Sequence, residues 1–243
     1  MRGIFPGYYE PSENDLSEWW NQGFFVLDAN ILLNLYRYSE ETRNEFLDLL
    51  KSLSDRLWIP HQVAWEYQRH RMDVIEEEIS AYKPFLKALR ASCDELRIPK
   101  KHPYISDELL QELQDLISRV EQELREQKTG LIDFYQDDPI RETLTEILDS
   151  RIGPTYPDER LKEIFEEGIT RFERQQPPGF QDSYKRGYGQ YGDLVLWFQI
   201  IDEAVNRKQA VGFVTDDLKN DWWVNISLRN QKIPHPELRQ EMR

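Results

Sequence analysis

Phe24-Phe25-Val26-Leu27-Asp28-Ala29-Asn30 is the stretch on which the fold turns. A short apolar run rich in β-formers and closed by a turn-forming acid reads as a buried strand. The pattern returns twice. Leu57-Trp58-Ile59 stops at Pro60, with Glu66 a short step beyond, and Val211-Gly212-Phe213-Val214 runs into Thr215-Asp216-Asp217. Helical patterns lie between these runs. Ser39 precedes Glu40 and Glu41 as an N-cap for a helix to about Leu53, a second helix starts near Gln62, and Asp193 opens a third over about 193–207. Strands alternating with helices predict an α/β fold with a mainly parallel central sheet and helices on both faces.

In an open parallel sheet the carboxyl ends of the strands face the ligand crevice. Asp28, Glu66, Asp193, Asp216 and Asp217 are therefore expected at one edge, although they come from distant parts of the chain. Such a cluster repels itself unless a divalent cation neutralises it, so it predicts a site for a hard metal ion. Each residue also has a plainer reading. Asp28 reads equally as a ligand and as a helix cap, with Asn30 placed to orient it or a bound water. Glu66 lies among Val63-Ala64-Trp65 and Tyr67, where it is either buried with a partner or an ordinary exposed helix residue. Asp193 at a helix start suits the helix dipole as well as a metal. Asp182 lies in a loop, where an acid needs no explanation. Of the adjacent Asp216 and Asp217, at least one is expected to face something positive. The histidines His61, His70, His102 and His235 have no zinc-like spacing.

Composition narrows the function classes. A chain of 243 residues can bury a full core, and 39% hydrophobic with 31% charged residues describes a folded rather than a disordered protein. No run approaches the roughly eighteen apolar residues of a membrane span. The start Met1-Arg2-Gly3-Ile4-Phe5-Pro6 lacks a secretory core, and the single Cys93 excludes an internal disulfide or a cysteine-rich zinc site. A cytoplasmic location is the expectation. The net charge of −14 argues against a protein that coats nucleic acid. Local basic strips can still hold phosphates. The candidates are Arg69-His70-Arg71, Lys100-Lys101-His102 and Lys185-Arg186, each of which also reads as a solvated helix end or loop.

The chain divides by texture. Residues 1–21 read as an irregular aromatic N-terminal arm, 22–71 as the first part of the α/β domain, 72–176 as a helical insertion and 177–243 as the second part. Within the insertion Ser106 caps a helix whose Leu109, Leu113, Leu116, Val120 and Leu124 form one stripe ending near Gly130, and further helices are expected over about 72–95, 138–150 and 158–174. These helices are expected to pack antiparallel beside the crevice and to offer a face to a protein partner. The loop 177–192 is rich in Gly and Tyr, Lys219 to Trp223 reads as a short turn or helix, and the sequence beyond is polar.

At these residues the chain resembles the PIN-like nucleases. Their pattern is a strand ending in Asp-x-Asn, a helical Glu, an Asp at a helix start and a Thr-x-Asp after a strand. Here it is met in order by Asp28 with Asn30, Glu66, Asp193, and Thr215 with Asp217. More narrowly, Pro177 to Asp182, Tyr191 to Asp193 and Asp221 to Trp223 resemble the marks of a bacterial branch with a long helical insertion. The likeness implies a three-layer α/β/α fold and Mg²⁺- or Mn²⁺-dependent cleavage of phosphodiesters. RNA is the first expectation as substrate and DNA the second, and the setting would be a bacterial toxin or defence endoribonuclease. It assigns Asp28, Glu66, Asp193 and Asp217 as the ligand core, with Asp182 and Asp216 in the second rank. Asn30 and Thr215 would orient ligands or water, and Lys185, Arg186, Arg69 and Arg71 would meet substrate phosphates. Two departures accompany it. The doubled Asp216-Asp217 leaves the fourth ligand open, and the further strand that relatives carry after a stretch like His235-Pro236-Glu237-Leu238 is not contained in a chain ending at Arg243. A structure-specific DNA nuclease and an inactive scaffold binding a protein partner are the alternatives. A phosphatase with Asp28 as nucleophile is weaker, because Asn30 stands where a general acid is wanted.

Overall fold

Three parallel strands set the architecture of the computed structural model, which describes residues 1–96, 105–185, 187–226 and 231–243. Strand β1 (Phe24–Leu27) is buried along its whole length and lies between β2 (Leu57–Trp58) and β3 (Val211–Val214). Phe25 pairs with Leu57 on one side, and Leu27 with Val214 on the other. Because all three run the same way, Leu27, Trp58 and Val214 end at one edge. Whatever follows them in sequence is delivered there.

The N-terminal arm is not irregular. Helix α1 (Glu13–Gln22) occupies half of it, started by a capping box in which Ser12 and Asp15 each accept the other's backbone N–H. Trp19 on α1 packs edge-on against Phe25 of β1, with ring centroids 5.7 Å apart. Gly212 on β3 makes room for it, since a Cβ there would lie 2.3 Å from the Trp19 ring.

Helices α2 (Ala29–Leu33) and α3 (Glu40–Ser52) follow β1, and Ser39 caps α3 by accepting the Thr42 N–H. Helix α4 (His61–Glu95) is a single run of 35 residues. The expected boundary at residue 72 therefore falls inside a continuous helix, because nothing around it breaks the helical pattern. Helix α5 (Asp107–Asp133) starts at the predicted Ser106 cap but runs on through Gly130. Arg90 of α4 forks onto Glu121 of α5, while Arg71 of α4 pairs with Asp138 just beyond α5. As the α4 partner steps back towards the N-terminus, the opposing partner steps forward, so the two run antiparallel. Asp138 also accepts the Tyr36 hydroxyl at 2.7 Å and caps α6 (Pro139–Ile147) through the Arg141 N–H. Helix α7 (Asp158–Glu173) precedes the loop to α8 (Gly192–Arg207).

The core is built on Val26, Leu35, Ile59, Ile75, Ile140 and Ile200, all fully buried. After β3, the expected turn follows Lys219, and the sequence beyond it, expected only to be polar, forms an antiparallel pair, β4 (Trp223–Ile226) with β5 (Gln231–Pro234), and then α9 (Pro236–Glu241). Leu238 of α9 joins Trp197 and Trp222 in a small separate cluster. No helix among the described residues is long and apolar enough to cross a membrane.

Candidate active site

Asp28 is the first residue after β1, and it serves as cap and hub at once. Its Oδ1 accepts the Ala29 N–H at 2.7 Å and so starts α2. Its Oδ2 accepts the Thr215 hydroxyl at 2.6 Å and an Asn30 amide proton at 2.8 Å. Asn30 also reaches Thr215 Oγ1 at 3.2 Å and accepts the Asp216 N–H at 3.1 Å. The parallel pairing of β1 and β3, closed by the Asp28 N–H on the Val214 carbonyl at 2.9 Å, brings these residues level. Asn30 and Thr215 thus orient Asp28.

The doubled acids part company. Asp216 is exposed and takes an Asn34 amide proton at 2.5 Å. Asp217 turns the other way, towards Lys219, whose Nζ lies 3.1 Å from its Oδ2. The same ammonium lies 3.0 Å from Asp182 Oδ2 and 3.4 Å from Asp193 Oδ2. Three carboxylates from three segments therefore surround one lysine.

Asp182 reaches this point because the loop before it is clamped. Gly179 takes φ of +89°, a left-handed conformation that glycine adopts without strain. Asp221 is fully buried and accepts the Gly179 N–H at 3.0 Å and the Gln181 N–H at 3.2 Å. Asp182 is itself 2% exposed. Its Oδ2 also takes Lys185 Nζ at 2.5 Å, whereas its Oδ1 has no hydrogen-bond partner among the described residues.

Glu66 enters from α4. Gln62 Nε2 donates to its Oε1 at 2.6 Å, and the Gln62 N–H is held by Gln199 of α8 at 3.0 Å. Gly192 at the start of α8 allows the approach, since a Cβ there would lie 2.9 Å from Glu66 Oε1.

Burial and mutual repulsion strain the cluster electrostatically. Burial pushes the Asp28 carboxyl up to about 6 against the bonds from Thr215 and Ala29, and the charges of Glu66 and Asp217 add to it. Burial likewise takes Asp193 to about 6, with Lys219 opposing and Asp182, Asp28 and Asp217 reinforcing the rise. Glu66 is raised by burial, with Asp193 contributing. Burial disfavours the Lys219 charge, but Asp193, Asp182 and Asp217 outweigh it and hold the ammonium well above its ordinary range. Asp28, Glu66 and Asp193 are thus each raised in part by the charge of another acid of the cluster.

The donor set suits a hard divalent cation. It consists of oxygens alone, and the buried Asp182 Oδ1 leaves acceptor capacity that no donor among the described residues meets. Among the described residues no three of these acids lie close enough to hold such an ion as they are placed. Lys219 stands between them.

The basic candidates fare differently. Arg71 is buried, with its guanidinium bound to Asp138, and is corrected from a substrate contact to part of the core. Arg69 is exposed and lies over the Trp65 ring, 5.0 Å from its centroid. Lys185 is engaged by Asp182, while Arg186 and the strip Lys100-Lys101-His102 lie outside the described residues. Sequence reading missed Lys219, Asp221, Gln62 and Asn34. For Lys219 the only signal was its place two residues after the doubled acid.

A family model described as PIN like domain matches residues 24–238. No curated protein and no solved structure matches the chain. With most of its length matched, the chain belongs to the PIN-like domain family.

Proposed function

We propose, from that membership, that the protein is a metal-dependent nuclease hydrolysing phosphodiester bonds, PIN domains being generally nucleases. The observation that carries the reading is the meeting of Asp182, Asp193 and Asp217 around one cation, with the buried Asp28 and the half-buried Glu66 each electrostatically coupled to Asp193. Asp28, Glu66, Asp193 and Asp217 would hold Mg²⁺ or Mn²⁺, with Asp182 beside them and Asp216 outside the set. When bound, the ion supplies an activated water and neutralises charge building on the phosphate. Asn30 and Thr215 keep Asp28 in one orientation, so its lone pairs need no reorganisation as charge develops. Gln62 does the same for Glu66. Of the four basic candidates, Lys185 and Arg69 are the described ones that remain to meet a phosphate.

RNA is the first substrate to try, with DNA as the alternative outcome. The endoribonuclease activity, the toxin or defence setting, the three-layer arrangement and the helical insertion as a partner-docking face rest on the family resemblance. Labelled single-stranded RNA and DNA, incubated with Mn²⁺ and then with EDTA, test the reading. Cleavage that EDTA stops and Asp28→Asn removes is the expected result.

One observation favours a second reading. Lys219 already neutralises part of the cluster, as a scaffold without a metal would require. Failure to cleave or bind any RNA or DNA across metals and salt would favour a protein-binding scaffold.

A further inference from the structure

The Lys219 ammonium stands where an ion serving Asp182, Asp193 and Asp217 would have to stand. An ammonium has three protons to donate, and three carboxylates claim them. Nothing is left for Asp182 Oδ1, which is buried and has no partner among the described residues. Nor is anything left for Asp28 or Glu66. The cluster therefore holds more acceptor oxygen than Lys219 can satisfy, and its second cation, Lys185, is bound to the already shared Asp182 Oδ2. A hard divalent ion takes six or more oxygens at roughly 2.0–2.6 Å, whereas the ammonium holds its oxygens farther out. The two cations compete for the same oxygens, and they repel each other.

The backbone of Lys219 is fixed so that its side chain aims at this point. Its N–H is donated to Asp217 Oδ1 at 2.8 Å, and its carbonyl accepts the Trp222 and Trp223 N–H groups, both at 3.2 Å. The side chain itself retains a way out. It is 31% exposed, against 3% for the Asp182 side chain it contacts. The backbone anchor is fixed, and the side chain it carries is partly open to solvent.

We propose that Lys219 is a built-in competitor of the divalent cation. In the metal-free protein it occupies the cluster and holds Asp182, Asp193 and Asp217 around itself; an entering ion displaces it towards solvent. Lys219 thereby sets the metal concentration at which the site fills. This inference rests on the metal-dependent reading and adds a positioning residue to it.

The test is Mn²⁺ binding to the metal-free protein, followed by calorimetry and by the electron spin resonance of free Mn²⁺, with no substrate present. Lys219→Met removes the charge while keeping a similar length, and should tighten Mn²⁺ binding at least tenfold. Lys219→Arg keeps the charge and should stay near the wild-type affinity, which a merely structural role for the side chain would not require. Unchanged or weaker binding by Lys219→Met overturns the proposal. Should that variant fail to fold without metal, the wild-type protein decides. Brief acetylation of surface amines, read by mass spectrometry, should modify Lys219 several-fold faster at saturating Mn²⁺, and an unchanged or slower rate overturns the proposal. The two readings separate cleanly. Wild-type Mn²⁺ binding that Asp28→Asn abolishes, with Lys219→Met no tighter, removes only this inference. No Mn²⁺ binding by any variant removes the metal-dependent reading with it.

Discussion

Thr215 donates its hydroxyl proton to Asp28 across 2.6 Å, joining residues 187 positions apart. The bond follows from topology. Strands β1 and β3 pair in parallel to their last residues, so the residues that follow them are held side by side. Neither residue has freedom to drift, because Asn30 bonds to both. The sheet edge is thus a fixed platform on which a costly charge can be kept.

Asp28→Asn should remove Mn²⁺-dependent cleavage and leave the fold intact. The change lifts one buried charge from a repulsive set, but one carboxylate oxygen becomes a donor facing donors. The two effects oppose, so stability without metal should stay within about 1 kcal/mol of wild type near neutral pH. Urea unfolding checks the stability. Cleavage by a rigorously purified variant equal to wild type would remove Asp28 from the metal site.

The same residue makes a pH prediction with a definite sign. Asp28 is raised from 3.8 to about 6 in the folded protein, so the folded state holds its proton more tightly than the unfolded chain does. Its stabilising contribution is fully present below about pH 3.8 and is lost as pH rises through about 6. Asp193 behaves in the same direction. As pH rises from 4.5 to 7.5, the stability difference between metal-free Asp28→Asn and wild type should shift in the variant's favour by on the order of 2 kcal/mol. Mn²⁺ should reverse the trend for the wild type, since it needs ionised ligands and binds better at the higher pH. A difference between variant and wild type that does not change with pH would show that burial does not govern this carboxyl.

Gly192→Ala should cost more in activity than in stability. The added Cβ would sit 2.9 Å from Glu66 Oε1 and 3.3 Å from Gln62 Nε2, so the two side chains must move apart or outwards. Alanine suits a helix start better than glycine does, which offsets part of the strain. Activity should fall at least tenfold while the melting temperature stays within a few degrees. Full activity would place Glu66 outside the reacting group.

Asp221→Ala should do the opposite. Removing the carboxylate leaves the Gly179 and Gln181 N–H groups without an acceptor in a buried place, a loss of about 2–4 kcal/mol. The loop carrying Asp182 loosens with it. Denaturant titration should show the drop, and Mn²⁺ binding should weaken in parallel. A stability change under 0.5 kcal/mol would mean that the loop holds itself.

What the sequence revealed, and what it hid, follows from how local each signal is. The strand ends at Leu27 and Val214 were legible because an apolar run meets an acid there, and Ser39 and Ser106 announce their helices within three residues. Helix α1 was hidden because it buries no residue outright, so its stripe is faint and only the Ser12–Asp15 box marks it. The β4–β5 pair was hidden because its strands are half exposed and interrupted by polar residues, Asn225 in β4 and Gln231 and Lys232 in β5. Asp221 and Lys219 were beyond reach for another reason. Asp221 acts on backbone groups about 40 residues away, and Lys219 takes its meaning from Asp182, which only the folded loop brings near. Arg71 shows the converse, a charge that looks available in sequence and is spent on Asp138 in the core.

That difference between available and spent charges yields the last prediction. Each phosphate neutralised adds roughly −0.7 to the log–log salt slope for single strands. In a catalytically dead background, Lys185→Ala with Arg186→Ala should weaken single-strand binding and flatten the slope by up to about 1.4, if each meets one phosphate. Arg69→Ala should act similarly but by no more than about 0.7, since its guanidinium lies over Trp65 on the surface. Arg71→Ala should leave the slope alone and instead cost about 3–5 kcal/mol of stability, because it strands the buried Asp138. Binding isotherms from 50 to 300 mM salt, set beside urea unfolding of the same variants, separate the two behaviours. A slope change in Arg71→Ala at unchanged stability would return that arginine to the substrate path, and an unchanged slope in the double variant would move the path away from the 185–186 loop.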